Sequence, residues 1–427
     1  MQITGPAVYE KFTITSKDNN KEVSMIGGIT DFQYFEDLHS PTTTAIVQVT
    51  NTGNTIEGQS LYNGLPIRGG ERVHFRIKTP VDALAQSDAK LDYVMYVDSI
   101  TTVANDGQVE TFTLHLVSRE AITNQQTRVT RKYQGQTVDK TVQQIISLLE
   151  PLAVTEFEKC QNVVPIIGNM RKPFTVAVML AAKGVPVGSK DSSAGFFFWQ
   201  TKNGFRFKSV DGLIKDALAA KSSAQRYYFR QTMEDPNKNP SRAATQILDF
   251  QVNKDSNVVE GLSRGEKSSY RIFFNPLDFS VTQPKDSVFK PELKVKLGGS
   301  ETEPVVADPE NIPINYLAPR IISGVFNVGS LDVGVSTAVN YNGFYDLSQA
   351  FCRYGTFFSI DYTILVPCNT NLTAGDPVYL EFPKTSDETP DVDTKQSGLY
   401  IIKEITHKFY PTKSFTSMRV VRDTHGT

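Results

Sequence analysis

The chain is poor in the residues that build reactive centres. Its 427 residues hold three cysteines, Cys160, Cys352 and Cys368, an odd number with no two at metal-ligand spacing. A disulfide framework is not expected in so long a chain, and buried reduced thiols are. Five histidines, His39, His74, His115, His407 and His425, form no H-x-H or H-x-x-x-H pair, and none stands near a cysteine. Excess charge of one sign is lacking too: 44 Lys and Arg face 46 Asp and Glu, a net −2. Without a basic excess to neutralise phosphates, specific nucleic-acid binding is not expected. No apolar run reaches the roughly 18 residues that span a bilayer; stretches such as Phe174–Ala182 are short or interrupted. The opening MQITGPAVYEKFTI has neither the basic nor the apolar region of a signal peptide. The chain is therefore expected to work in a cytoplasm, or to leave the cell without a signal.

What is present points to β structure. There are 26 Phe and 17 Tyr, and hydrophobic residues make up 39% and charged residues 21%, which excludes wholesale disorder. The length predicts two to four domains. Thr43–Val49 and Arg72–Ile77 alternate apolar with polar residues, the pattern of half-buried strands. Leu91–Ile100 and Thr111–Val117 flank Asn105-Asp106-Gly107 and predict a hairpin with a long tip. The middle differs. Val138, Val142, Ile145, Ile146 and Leu149 form one helix face, ended by Glu150-Pro151. Pro173–Lys183 predicts a second helix, opened by proline and closed by Gly184. Gly195–Gln200 and Phe205–Val210 predict a hairpin about Asn203-Gly204. Leu213–Ala220 and Asp346–Tyr354 read as helices, Thr245–Val252 as a strand, 230–244 as a loop, and 283–315 as an extended or mobile insertion.

The last stretch echoes the first. Gly70–Ile77 and Gly375–Phe382 are each a glycine turn opening an alternating strand. Thirty residues on, Tyr96–Thr101 stands beside Ile401–Thr406, and then Thr111–Arg119 beside Ser414–Arg422. The order and spacing repeat with little identity. Chance likeness between β segments is the plain alternative to two copies of one β-domain.

A search for chemistry finds no catalytic, cofactor-binding or metal residue to assign. There is no G-x-S-x-G elbow, no P-loop, and no G-x-G-x-x-G after a strand. Asp361, Asp376, Glu381 and Glu404 lie in the C-terminal β region, where a carboxylate is usually the wet face of its strand. His74 and His115 read as solvated strand residues. Asp387–Asp393 lacks the glycine and spacing of an EF-hand loop and reads as a charged tip. Arg119, Arg128, Arg131 and Lys132 read as a solvated loop. Trp199, the only tryptophan, follows three phenylalanines and reads as core or interface, with a sugar platform as the alternative.

The order of elements resembles the baseplate hub subunit of T-even-type contractile-tail phages, a family related to the hub portion of type VI secretion spike proteins. Three blocks carry it: Phe196–Gln200 running on to Gly204–Phe207 after two helices; Asn371–Phe382 followed by Leu399–His407; and the N-terminal strands ending in Thr113–Val117. No match covers 263–345. The resemblance implies a mainly β fold with α+β insertions: two tail-tube-like antiparallel β-barrels and a helix-containing peripheral domain. The barrels would be 1–120 and 245–261 with 355–427; the peripheral domain would be 121–244 with 262–354. It implies a non-enzymatic homotrimer forming a pseudo-sixfold ring in the virion baseplate, assembled in the host cytoplasm. One face would meet the hexameric tail tube and the other the trimeric central spike, beside other baseplate proteins, and the ring channel could pass DNA. No cofactor and no membrane span are implied. The alternative is a tail-associated protein that binds glycans or degrades polysaccharide or peptidoglycan.

Overall fold

A computed structural model describes residues 3–17, 21–51, 61–65, 67–84, 90–106, 109–151, 156–188, 194–254, 258–265, 269–281, 288–289, 295–299, 320–328, 339–341, 343–384 and 392–425. The predicted 283–315 insertion and the Asp387–Asp393 tip lie mostly outside them. The first half of the fold is built from β1 (Val8–Thr15), β2 (Glu22–Ser24), β3 (Ile29–Asp37), β4 (Thr44–Asn51), β5 (Arg72–Lys78), β6 (Leu91–Asp106) and β7 (Val109–Val117). Alternate residues turn inward, so Phe12, Phe32, Val47, Phe75, Met95 and Leu114 share one core. Four strands separate β1 from β3 in the order β3-β4-β7-β6-β5-β1-β2, yet the Phe12 and Phe32 rings stand 5.1 Å apart. A flat sheet would hold the two strands about 24 Å apart, so this half curls round its core. Met25 N donates to Phe12 O at 2.9 Å where the ends of the curl meet.

Helices dominate the middle. They are α1 (Arg119–Gln126), α2 (Val138–Ser147) and α3 (Pro173–Ala181), with α4 (Val210–Ala219) after the hairpin β8 (Phe196–Thr201) and β9 (Gly204–Ser209). The apolar face read in α2 is buried against α3 and this hairpin. α4 begins earlier than the sequence suggests because Ser209 caps it, its Oγ accepting from Gly212 N. The Arg119–Lys132 segment is not one loop: its first eight residues are α1, and Asn124 Oδ1 accepts from Phe174 N at 2.9 Å at the start of α3.

The second half comprises β10 (Gln225–Phe229), β11 (Gln246–Ile247), β12 (Asp249–Lys254), β15 (Ile360–Pro367), β16 (Pro377–Glu381), β17 (Gly398–Phe409) and β18 (Ser414–Arg422). Between them lie β13 (Ser269–Phe274) and β14 (Arg320–Val325), which pair in a separate small sheet, and α5 (Gly343–Phe357). The strand order is β12-β15-β18-β17-β16-β10-β11. Leu248, between β11 and β12, donates to Leu365 O at 2.8 Å, so one segment reaches from β10 to β15. Hydrogen bonding runs unbroken through both halves. The two expected barrel domains therefore form one 14-stranded sheet within the chain, because β17 is long enough to serve both.

The echo is a structural repeat. Strands β3, β4, β7, β6, β5 and β1 match β12, β15, β18, β17, β16 and β10 in both chain order and sheet order. Gly70 N donates to Val97 O at 2.7 Å and Gly375 N to Ile402 O at 2.8 Å, an offset of 305 in each position (375 − 70 and 402 − 97). The bulges Val97/Ser99 and Ile402/Glu404 keep that offset, and the two glycines share a left-handed φ, 88° and 92°. One strand breaks the rule: β10 lies parallel to β16, whereas β1 lies antiparallel to β5.

Candidate functional site: the seam between the two β halves

One strand carries the junction. Along one edge β17 pairs first with β16, through residues 398–401, and then with β3, through 404–409. The change of partner falls at the bulge beside Lys403, whose carbonyl accepts from Leu38 N at 2.9 Å. Beyond it, Ile405, His407 and Phe409 point inward, while Glu404, Thr406 and Lys408 face out. Phe409 enters the first half's core and stacks on Phe32, with centroids 5.6 Å apart. The seam is thus both a backbone ladder and a shared apolar core.

Beneath it lies a buried polar network. Glu36 shares the inward parity of Phe32 and Tyr34. Its Oε1 accepts from Tyr34 Oη at 2.9 Å and Lys202 N at 2.7 Å, and its Oε2 from Ala374 N at 2.9 Å. Burial pushes its carboxyl above the usual range, and the two amides oppose that. Lys202 Nζ donates to the Thr370 carbonyl, and burial lowers its pKa. Asp82 Oδ2 accepts from Thr79 N and Oγ1 and from Thr370 Oγ1, at 2.7 to 3.0 Å. Asp82 N returns a bond to Thr79 Oγ1 at 3.2 Å, the reciprocal cap of the short helix Pro80–Leu84. His407 Nδ1 stands 2.9 Å from Thr416 Oγ1, with its ring parallel to that of Tyr34. Burial, with Lys202 adding to it, lowers the His407 pKa to about 3. Burial raises the Cys368 thiol, which disfavours its thiolate. These groups hold one another and the 368–376 loop.

The β8–β9 hairpin locks the middle to the seam. Phe196 and Phe198 enter the helical core, while Phe197 and Trp199 enter the core of the second half. Trp199 is fully buried, and its Nε1 donates to Ala374 O at 3.0 Å. It is core, not a sugar platform. A Cβ on Gly375 would stand 2.7 Å from the Trp199 ring, so that position needs glycine for both space and φ. Gln200 donates to Glu120 at 3.0 Å and accepts from Thr43 N at 3.3 Å, reaching the first half. On the far side, Arg353 of α5 is buried between Asp211, at 2.6 Å, and Asp423, at 3.3 Å.

The remaining residues singled out in the sequence are scattered. His74 bonds Asp92 at 2.8 Å and His115 bonds Thr101 at 3.0 Å, both on strand surfaces. His39 packs beside Phe197 and Phe358. His425 is half-buried, and Arg128, Arg131 and Lys132 are exposed. Cys160, Cys352 and Cys368 are free and buried. The carboxylates are not simply wet strand residues. Asp361 is buried against Arg419 at 2.7 Å and Asn253 at 3.0 Å, and Asp376 binds Arg206 at 3.0 Å. Glu404 reaches Arg419 at 3.3 Å from the outer face, and only Glu381 is simply exposed. Asn253, Glu404 and Arg419, with Thr363, Thr406 and Ser417, line a polar groove on the second half. Among the described residues, no three His, Cys, Asp or Glu side chains gather where they could hold a metal ion, and no helix is long and apolar enough to cross a membrane. Sequence reasoning missed Glu36, Asp82, Lys202 and Arg353. Glu36 left a trace in its inward strand parity, and Asp82 in the Thr79-x-x-Asp82 spacing.

No protein family matches the chain, and no curated protein matches it in sequence. Solved structures do match in fold. The 43 kDa tail protein of prophage MuSo2 from Shewanella oneidensis superposes with a TM-score of 0.53 at 10% identity, covering 97% of this chain and 98% of that one. A tail protein from Neisseria meningitidis MC58 superposes with a TM-score of 0.54 at 11% identity, covering 98% and 97%. End to end, the chain has the fold of these tail proteins, and the resemblance seen in its sequence agrees with that.

Proposed function

We propose that the chain is a structural baseplate hub protein of a contractile phage tail, and not an enzyme. The observation that carries this is the repeat: two β halves of one topology, joined edge to edge by β17 and β3. Each curled half then serves as one tube-like barrel, 1–120 and 245–261 with 355–427, the latter taking in Gln225–Phe229. Residues 121–244 and 262–354 are otherwise the peripheral domain. Two like units per chain make three chains a six-unit ring, which suits a hexameric tail tube on one face and a trimeric spike on the other. The end-to-end likeness to tail proteins supports the setting, a virion baseplate assembled in the host cytoplasm among other baseplate proteins. The buried network tying both halves together at the seam supports a load-carrying role.

Light scattering over a concentration series tests this. A native mass near about 140 kDa, three times 47.5 kDa, is expected, with a ring and channel on imaging. A protein that stays monomeric when mixed with purified tube and spike proteins overturns the reading. Trp199→Ala is expected to lower stability by about 3–5 kcal/mol without selective loss of any glycan affinity, since the ring is core.

A further inference from the structure

The repeat demands the β17–β3 junction twice, and the chain makes it once. In β17, residues 398–401 pair with β16, and the same edge past the bulge pairs with β3. In the equivalent β6, residues 91–96 pair with β5; past the equivalent bulge, the outer edge of Ser99–Ala104 carries no strand among the described residues. The partner strand shows the complementary gap. One edge of β3 pairs with β4 and the other with β17. Its equivalent β12 pairs with β15 by one edge, and no strand is paired to the other among the described residues. Exposure follows the pairing. Ile405, His407 and Phe409 are buried, while of their equivalents Ile100 is half-buried and Thr102 and Ala104 are exposed. Tyr34 is fully buried, while the equivalent Val252 is 43% exposed.

We infer that the outer edge of β6 (Ser99–Ala104) pairs antiparallel with the outer edge of β12 (Asp249–Asn253) of a second copy of this chain. This rests on the homo-oligomeric reading above and adds to it the two edges and their register. The ladders fix the equivalences. Phe32 faces Val47, which faces Leu114, and Phe250 faces Ile364, which faces Met418. Leu114 and Met418 in turn face Ile100 and Ile405. Phe32-Gln33 therefore corresponds to Phe250-Gln251. Lys408 opposite Gln33 becomes Val103 opposite Gln251, and Thr406 opposite Phe35 becomes Thr101 opposite Asn253. Across Ser99–Ala104 and Asp249–Asn253 the one charged residue is Asp249, so no like-charge pair within the two edges repels an added strand. The two edges differ, so the contact is head to tail and closes as a ring when the rotation allows.

Cysteine cross-linking tests the pairing, since the three native thiols are buried. Strands paired in this way bring opposite Cα atoms to about 5 Å, within disulfide reach. Full-length Val103→Cys is co-expressed with full-length Gln251→Cys and oxidised. Disulfide-linked dimers are expected from the mixture, and none from either variant alone. The double variant is expected to link as many chains as the native mass counts. Thr101→Cys with Gln251→Cys, and Val103→Cys with Asn253→Cys, cover a slip of two residues in either direction, because both strands carry bulges here. Gln33→Cys with Lys408→Cys, which closes within one chain, controls for oxidation. No linkage in a sample of oligomeric mass overturns the edge pairing and leaves the oligomer standing. No linkage in a sample that stays monomeric with purified tube and spike proteins present overturns both. Self-linked Val103→Cys overturns the head-to-tail contact.

Discussion

Acidification should destabilise this fold through His407, and the size of the effect follows from its burial. The imidazole is fully buried, with its pKa lowered from 6.5 to about 3. In the unfolded chain it is free to bind a proton near its ordinary value. As pH falls below that value, the unfolded state takes up a proton that the folded state refuses. Stability is therefore full above about pH 6.5 and is lost as pH falls towards 3. Going from about pH 7.5 to about pH 5, this one group should cost about 2 kcal/mol. Urea unfolding of parent and His407→Gln at the two pH values isolates it, since glutamine can still bond Thr416 but does not titrate. The parent should lose about 2 kcal/mol more than the variant. Equal losses would refute the reasoning, because they would mean that His407 is reached by water or protonated in the folded state.

Three further outcomes follow from the seam and its surroundings. Gly375→Ala should destabilise by at least about 2 kcal/mol, through its left-handed φ and the Trp199 contact, and should shift Trp199 fluorescence; an unchanged melt would show that the loop can move away. Phe409→Ala should cost about 3–5 kcal/mol in chemical denaturation, while the outward-facing neighbour Lys408→Ala should stay within about 0.5 kcal/mol. Arg353→Met should cost about 3–5 kcal/mol by leaving Asp211 and Asp423 buried without their counter-charge, and adding Asp211→Asn and Asp423→Asn should recover part of the loss in thermal melts.

Legibility depended on how local the cause was. The strands at Arg72–Lys78 and Val109–Val117 were written in alternation, the face of Val138–Ser147 in helical spacing, and the β8–β9 turn in Asn203-Gly204. Val8–Thr15 and Gln225–Phe229 alternate less cleanly, and neither was read as a strand; each is held by its neighbours in the sheet. The Asp361 and Asp376 carboxylates read as wet because nothing near them in sequence reveals Arg419 or Arg206, which arrive from 58 and 170 residues away.

By itself, then, the sequence determined the class of the fold and the repeat. Each of these is a matter of composition, periodicity or spacing along one chain. Tertiary structure alone decided that the halves merge through β17 and β3, that Glu36, Lys202 and Asp82 are buried together, and which strand edges are left over. Those are long-range contacts: Ala374 N meets Glu36 across 338 residues. Their energy comes from removing both partners from water at once, and no local pattern encodes it.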